Sequence, residues 1–277
     1  MNNISCLLIT TTVRERYHLQ RPTVLSIEAA NDKNQLAQKI MSVDVIEGHP
    51  YDLTWFQQYI DLGWEIVFGP CSGHRGMANN IMRGLELVHH PMLFYCEDDV
   101  IIQRIPEETL ITNWFYNSDM GRKKLGVLVY NTHILAPWIH DEKIIEQRLA
   151  YINKPQSYFM SPQLDDMYLK KDPEILKDEY WICFPTCIMT YQHFKDCLEY
   201  AYKNCEGMGI EPAMSKAWWE LGHQRLYDVG AYINSLLLKK LGRITFQDAY
   251  DYALFRFWNN DKTLQHPSWN NRKNTIF

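Results

Sequence analysis

The sequence predicts an α/β fold: a mostly parallel central sheet flanked by helices, within a single domain. Three observations carry this reading. Short apolar runs at residues 4–10, 39–46, 64–68 and 92–97 read as buried strands. A stripe of Met77, Ile81, Leu85 and Val88 between the third and fourth runs has the period of a helix. Polar, glycine-rich and acidic residues gather directly after the runs, where open α/β sheets receive ligands.

With 277 residues, of which 46% are hydrophobic, the chain is long enough to bury a substantial core. A net charge of −5 and a pI near 6.1 offer no broad basic surface, which argues against a generic nucleic-acid binder or a polybasic membrane-surface protein. Arg14/Arg16 and Arg122-Lys123-Lys124 remain as local anion contacts. The opening apolar run is too short for a secretory signal, and no stretch approaches the roughly 20 apolar residues needed to cross a bilayer. The seven cysteines, odd in number and mostly within apolar runs, favour reduced thiols and a cytoplasmic protein. Cys183 and Cys187 invite a zinc reading, but no second tight pair follows, so buried thiols are preferred.

In chain order, residues 4–10 form the first strand and residues 11–16 its exit loop. A helix is expected over residues 22–30 and a second strand over 39–46. The hydroxyls of Thr10, Thr11 and Thr12, with Arg14 and Arg16, stand where the phosphates and base of a nucleotide could be met. Asp44 or Glu47, at the end of the second strand, could accept a hydrogen bond from a base or ribose. For each of these the alternative is an ordinary polar βα loop. The third strand, residues 64–68, leads into the glycine-bearing loop 69–76 and a helix over residues 77–89, with Asn79 and Asn80 in its first turn. His89 and His90 are expected to end that helix.

The next run, residues 92–102, ends its strand in Glu97-Asp98-Asp99. Three adjacent carboxylates repel one another and resist desolvation unless a cation or a set of donors shares their site. A divalent ion would supply that compensation; a solvated acidic turn is the other reading. Beyond it, residues 103–115 are expected as a short helix and residues 125–131 as a strand, followed by a long aromatic segment over residues 132–178. Residues 180–190 read as another strand, which Pro185 would place at an edge or bulge.

Residues 73–80 (Gly-His-Arg-Gly-Met-Ala-Asn-Asn), followed by residues 93–100 (Leu-Phe-Tyr-Cys-Glu-Asp-Asp-Val), resemble the core of a GT-A-fold, family 2-like glycosyltransferase, with Glu97-Asp98-Asp99 in place of the DxD motif. The likeness spans about residues 3–105. It implies a Rossmann-like GT-A domain over residues 1–277, in which 1–105 bind the nucleotide sugar and 106–277 the acceptor. It also implies transfer of a sugar from a nucleotide-sugar donor, UDP-sugar before GDP-sugar, to a carbohydrate or glycoconjugate hydroxyl with Mn2+ or Mg2+, and favours inversion.

On the same resemblance, Asp99 binds the metal, Asp98 faces the ribose or sugar, Glu97 is structural or supports the metal ligands, and Arg75 and Asn79 lie near the donor. His266, within a QH-x-S-like tail, would complete the metal shell. Asp228 ranks first as the general base, with Glu220 and Glu211 as competitors. The alternatives are a sugar-phosphate nucleotidyltransferase, which would be expected to carry a glycine- and basic-rich loop after the first strand where this chain has Thr11-Thr12-Val13-Arg14, and a catalytically silent nucleotide- or carbohydrate-binding module.

Overall fold

The structure, a computed structural model, describes residues 3–32, 35–50, 52–71, 76–105, 127–129, 146, 149–150, 186–221, 226–228, 240–243, 245, 247–248 and 255–257. Strands β1 (Ile4–Thr11), β2 (Leu36–Val45), β3 (Glu65–Pro70), β4 (Met92–Glu97), β6 (Val127–Val129), β7 (Thr186–Thr190) and β8 (Leu226–Asp228) form one sheet in the order β3-β2-β1-β4-β7-β6-β8. Its pairings are parallel except those of β7, which runs antiparallel to both β4 and β6. A separate pair joins β5 (Val100–Ile102) to β9 (Phe255–Phe257), directly after the acidic turn. The expected mostly parallel α/β sheet is present.

Both faces of the sheet are covered, so the central strands read as unbroken apolar runs. Along β1, Cys6 and Leu8 join Met41, Val43, Phe94 and Ile188 beneath helices α1 (Tyr17–Ala30) and α2 (Leu53–Ile60), which contribute Val24, Ile27, Phe56 and Tyr59. Leu7 and Ile9 face the other way, with Ile40, Leu93, Tyr95 and Met189. There they meet α3 (Gly76–Leu85), α4 (Tyr191–Asn204) and α5 (Ile210–Glu220) through Ile81, Leu85, Phe194, Leu198, Met214 and Trp218.

Helix α1 begins five residues earlier than Pro22 suggested. Pro22 costs the helix one backbone hydrogen bond, but Tyr17 stacks on Trp55 with ring centroids 4.5 Å apart, and Gln20 is buried and donates to the Thr11 carbonyl. Helix α2 is capped by Asp52, whose carboxylate accepts from the Thr54 and Trp55 amides. Helix α3 ends at Leu85 rather than near His89, whose amide donates to Gln38 Oε1 across the following turn. Strand β7 lies in the sheet interior between β4 and β6, not at an edge. Residues 106–115 and 180–185 lie outside the described residues, as does Cys183. Six cysteines are described and none is in a disulfide. No helix among the described residues is long and apolar enough to cross a membrane.

Helix α3 sits close on β1 and β2 because Gly84 carries no side chain. A Cβ there would overlap Leu7 Cδ1 and meet Ser42 Cβ at 3.0 Å. Although alanine is the better helix former by about 1 kcal/mol, Gly84→Ala is expected to cost a net ~1–2 kcal/mol of unfolding free energy through overpacking. Urea denaturation measures this, and a stabilised variant would show that Leu7 can move aside.

Candidate active site

The chain leaves β1 to build β2 and β3 on one side, then returns to place β4 on the other. This reversal opens a crevice beyond the carboxyl ends of β1 and β4, the position at which doubly wound sheets bind ligands. Thr10 to Thr12, the 3-10 turn Arg14–Arg16, Asp44 at the end of β2 and the acids at the end of β4 converge on it.

The acidic turn is held from three sides. Arg16 grips both oxygens of Asp98: Nη2 donates to Oδ1, and Nε donates to Oδ2 at 3.2 Å. The Thr10 hydroxyl donates to the same Oδ2 at 2.5 Å, and the Thr23 hydroxyl on α1 donates to the Asp98 carbonyl at 2.9 Å. Asp98 is 2% exposed and Asp99 6%, whereas Glu97 is half-buried with Tyr95 Oη 3.5 Å from Oε1. Burial disfavours the charge on Arg16, but Asp98, Asp99 and Glu97 together outweigh it and hold the guanidinium as a cation.

A second ion pair stands on the other side of β1. Arg83, on α3, donates from Nη2 to Asp44 Oδ1 at 2.8 Å and from Nη1 to the Val43 carbonyl at 2.9 Å. It lies against Gly69, where a Cβ would come within 2.5 Å of the guanidinium, so the glycine near the end of β3 makes room for the arginine. Burial pushes Asp44 up to about 7, with Arg83 and Cys71 pulling the other way. Arg83 was not singled out in the sequence. Its position three residues after Asn80, and so on nearly the same helix face, is the signal that could have found it.

Of the other predicted donor residues, Thr10 spends its hydroxyl on Asp98. Thr12 donates to the His49 carbonyl and accepts from the Ile46 amide at 3.0 Å. Thr11 is half-buried and its hydroxyl accepts from the Val13 amide; Arg14 is exposed. Asn79 is half-buried in the first turn of α3, while Asn80 is buried and donates to the Thr10 carbonyl at 2.9 Å. Arg75 and His266 lie outside the described residues.

Asp228 closes β8 in register with Val129, which pairs with Cys187, which pairs with Tyr95. The Asp228 backbone thus lies at the same level of the sheet as Tyr95 and three strand spacings away, about 14 Å at ~4.8 Å per strand. Glu211 is in the first turn of α5, and Glu220 is exposed at its last residue.

Among the described residues, no three His, Cys, Asp or Glu side chains form a group able to hold a metal ion. Glu97 and Asp99 nevertheless offer hard carboxylate oxygens from one turn. Mg2+ and Mn2+ sites commonly combine one or two such carboxylates with substrate phosphates and water, so the donor type fits.

No protein-family model matches the chain, and no curated protein matches it. Solved structures do. The apo structure of the bifunctional glycosyltransferase WbbM aligns over 94% of this chain with a TM-score of 0.52 at 7% identity, and the match spans 46% of that longer protein. Glucosyl-3-phosphoglycerate synthase from Mycobacterium tuberculosis, in complex with Mn2+, UDP and phosphoglyceric acid, aligns over 88% of this chain and 80% of its own with a TM-score of 0.42 at 10% identity. The 4-diphosphocytidyl-2C-methyl-D-erythritol synthase from Anaerococcus prevotii aligns over 85% and 96% with a TM-score of 0.43 at 10% identity. The likeness to WbbM shows the fold, a GT-A-type α/β arrangement.

The raised Asp44 value gives a signed pH dependence. A carboxyl that keeps its proton in the folded state up to about 7 stabilises the fold fully below the ordinary value of 3.8, and loses that contribution as pH rises towards 7. Asp44→Asn is therefore expected to remove a decline in unfolding free energy of up to about 1.4 kcal/mol per pH unit between pH 4.5 and 7. Urea titrations of the parent and variant across that range measure the difference, and parallel pH profiles would contradict it.

Proposed function

We propose that the protein is a metal-dependent glycosyltransferase that moves a sugar from a nucleotide-sugar donor, UDP-sugar first and GDP-sugar second, to a carbohydrate or glycoconjugate hydroxyl with inversion. One observation carries the reading: an acidic turn, Glu97-Asp98-Asp99, at the switch point between β1 and β4. Ligands enter such crevices, and a nucleoside diphosphate brings to this one the phosphates that would otherwise be repelled by carboxylates.

Glu97 and Asp99 would hold a Mn2+ or Mg2+ ion, which when bound neutralises the charge that develops on the departing diphosphate. Asp98 fixes the turn through Arg16 and Thr10. Thr11, Arg14 and Asn79 keep enough exposure to meet the donor, with Arg14 suited to a phosphate by charge-assisted hydrogen bonding. Arg75 and His266 are proposed to complete the donor and metal contacts. Asp228 is proposed as the base that removes the acceptor hydroxyl's proton while its oxygen attacks the anomeric carbon from the side opposite the diphosphate. Glu220 and Glu211, at the two ends of α5, are the competitors.

Isothermal titration with UDP- and GDP-sugars, with and without Mn2+, tests the donor reading. Mn2+-dependent binding is expected, weakened about tenfold or more by Asp99→Asn, a loss equivalent to about 1.4 kcal/mol. No nucleotide binding under any condition would refute it, and binding without sugar transfer or donor hydrolysis would favour a silent module. Asp228→Asn is expected to abolish turnover and leave donor binding intact; near-normal turnover would move the base to Glu211 or Glu220.

A further inference from the structure

We propose that Arg83 is a positioning residue for the nucleoside diphosphate end of the donor: by clamping Asp44 against α3 it fixes the crevice wall that the ends of β1 and β2 form. The inference rests on the donor reading above and assigns a role to a residue that this reading does not use.

Arg83 Nη2 donates to Asp44 Oδ1 at 2.8 Å while Nη1 donates to the Val43 carbonyl at 2.9 Å, so one planar guanidinium holds a side chain and the backbone next to it. The two side chains are only 16% and 5% exposed. About two turns earlier on the same helix, Gly76 lies beside the other carboxylate oxygen, where a Cβ would stand 3.7 Å from Asp44 Oδ2. Between these points the Ser42 hydroxyl donates to the Asn80 carbonyl at 2.8 Å, and Asn80 Nδ2 donates to the Thr10 carbonyl at 2.9 Å. Helix α3 is thus seated on the ends of β1 and β2 by polar contacts at Asn80 and Arg83. Asp44 passes that restraint on to the crevice. Its backbone carbonyl accepts from the Thr12 amide at 2.9 Å, and the adjacent Val45 carbonyl accepts from the Cys71 amide at 3.2 Å. The loop after β1, which carries Thr11 and Arg14, and the chain leaving β3 therefore both take their places from the segment that Arg83 grips. Strands β1 and β2 run parallel to β4 whereas β7 does not, so the surface of carboxyl ends continues from the acidic turn over β1 and β2. A diphosphate at the turn leaves its nucleoside to extend along that surface. Arg83 acts there through Asp44 and the loops, and not on the donor itself.

The test is isothermal titration of the full chain, in the presence of Mn2+, with UDP and UDP-glucose and with GDP and GDP-mannose, circular dichroism confirming the fold of each variant. Arg83→Gln is expected to weaken a nucleoside diphosphate and its sugar conjugate alike, by about tenfold, because the part they share is the part positioned. Arg83→Lys keeps the charge but not the planar fork, and should recover binding to within about threefold of the parent. Gly69→Ala displaces the arginine without removing it: the new Cβ would come within 2.5 Å of the guanidinium, the far end of a flexible side chain, so the fold is little disturbed. It should weaken binding about threefold or more. The double variant Asp44→Asn/Arg83→Gln should lose no more affinity than Arg83→Gln alone, since the two residues act as one clamp.

Parental affinity in folded Arg83→Gln or Gly69→Ala would overturn the role of Arg83 while leaving the donor reading standing, and so would a loss confined to the sugar conjugates or a double variant in which the two single losses multiply. Should Arg83→Gln fail to fold, Gly69→Ala decides the matter alone. Absence of binding of all four ligands by the parent would overturn both the role and the reading.

Discussion

Three successive carboxylates at the end of a central strand are tolerable only with positive charge beside them, and the site is organised around how that charge is supplied. The fold answers with Arg16, delivered from the loop after β1 to a carboxylate on the turn after β4. These strands are hydrogen-bonded neighbours, so the ion pair closes the crevice base over a short span even though its partners are distant in sequence. Removing one partner of such a buried pair strands the other charge, which is why these contacts act as a unit. Asp44 and Arg83 repeat the solution on the other flank of β1, with the arginine supplied from a helix.

The first half of the fold was legible in the sequence because its strands are buried on both faces. Residues 4–10, 64–68 and 92–97 stand out as apolar runs, and their strands follow those limits closely. Boundaries failed where tertiary contacts outweighed local preference. The stacking of Tyr17 on Trp55 and the hydrogen bonds of Gln20 draw the start of α1 back past Pro22. Helix α2 escaped notice because it is short and its buried positions, Phe56 and Tyr59, make a single turn's worth of pattern. Pro185 pointed to an edge, yet β7 lies in the sheet interior, paired with β4 on one side and β6 on the other.

The site was legible in its position but not in its pairings. Acids after β4 and hydroxyls after β1 mark the crevice, since those are the residues an α/β sheet exposes at its carboxyl edge. Sequence alone does not reveal that Thr10 and Thr12 turn their hydroxyls to Asp98 and to the backbone around His49, or that Arg16 is drawn inwards. Those outcomes depend on the parallel register of β1 with β2 and β4, which aligns Thr11 with Asp44 and Ile9 with Glu97.

That register also separates charges that build the crevice from groups that remain at its surface. Asp98, Arg16, Asp44 and Arg83 bond one another in two pairs on opposite sides of β1, and each pair is supported by a backbone carbonyl or a threonine hydroxyl. The partners of these four residues are thus supplied from within the chain, and a ligand would have to displace them to gain a direct contact. Thr11, Arg14, Asn79 and Glu97 are more exposed, and displacing less protein costs a ligand less. A crevice arranged this way keeps its shape through internal ion pairs and presents a thin outer layer of mixed polar groups. Glu97 and Asp99 are the two acids of the turn that Arg16 does not grip through both oxygens.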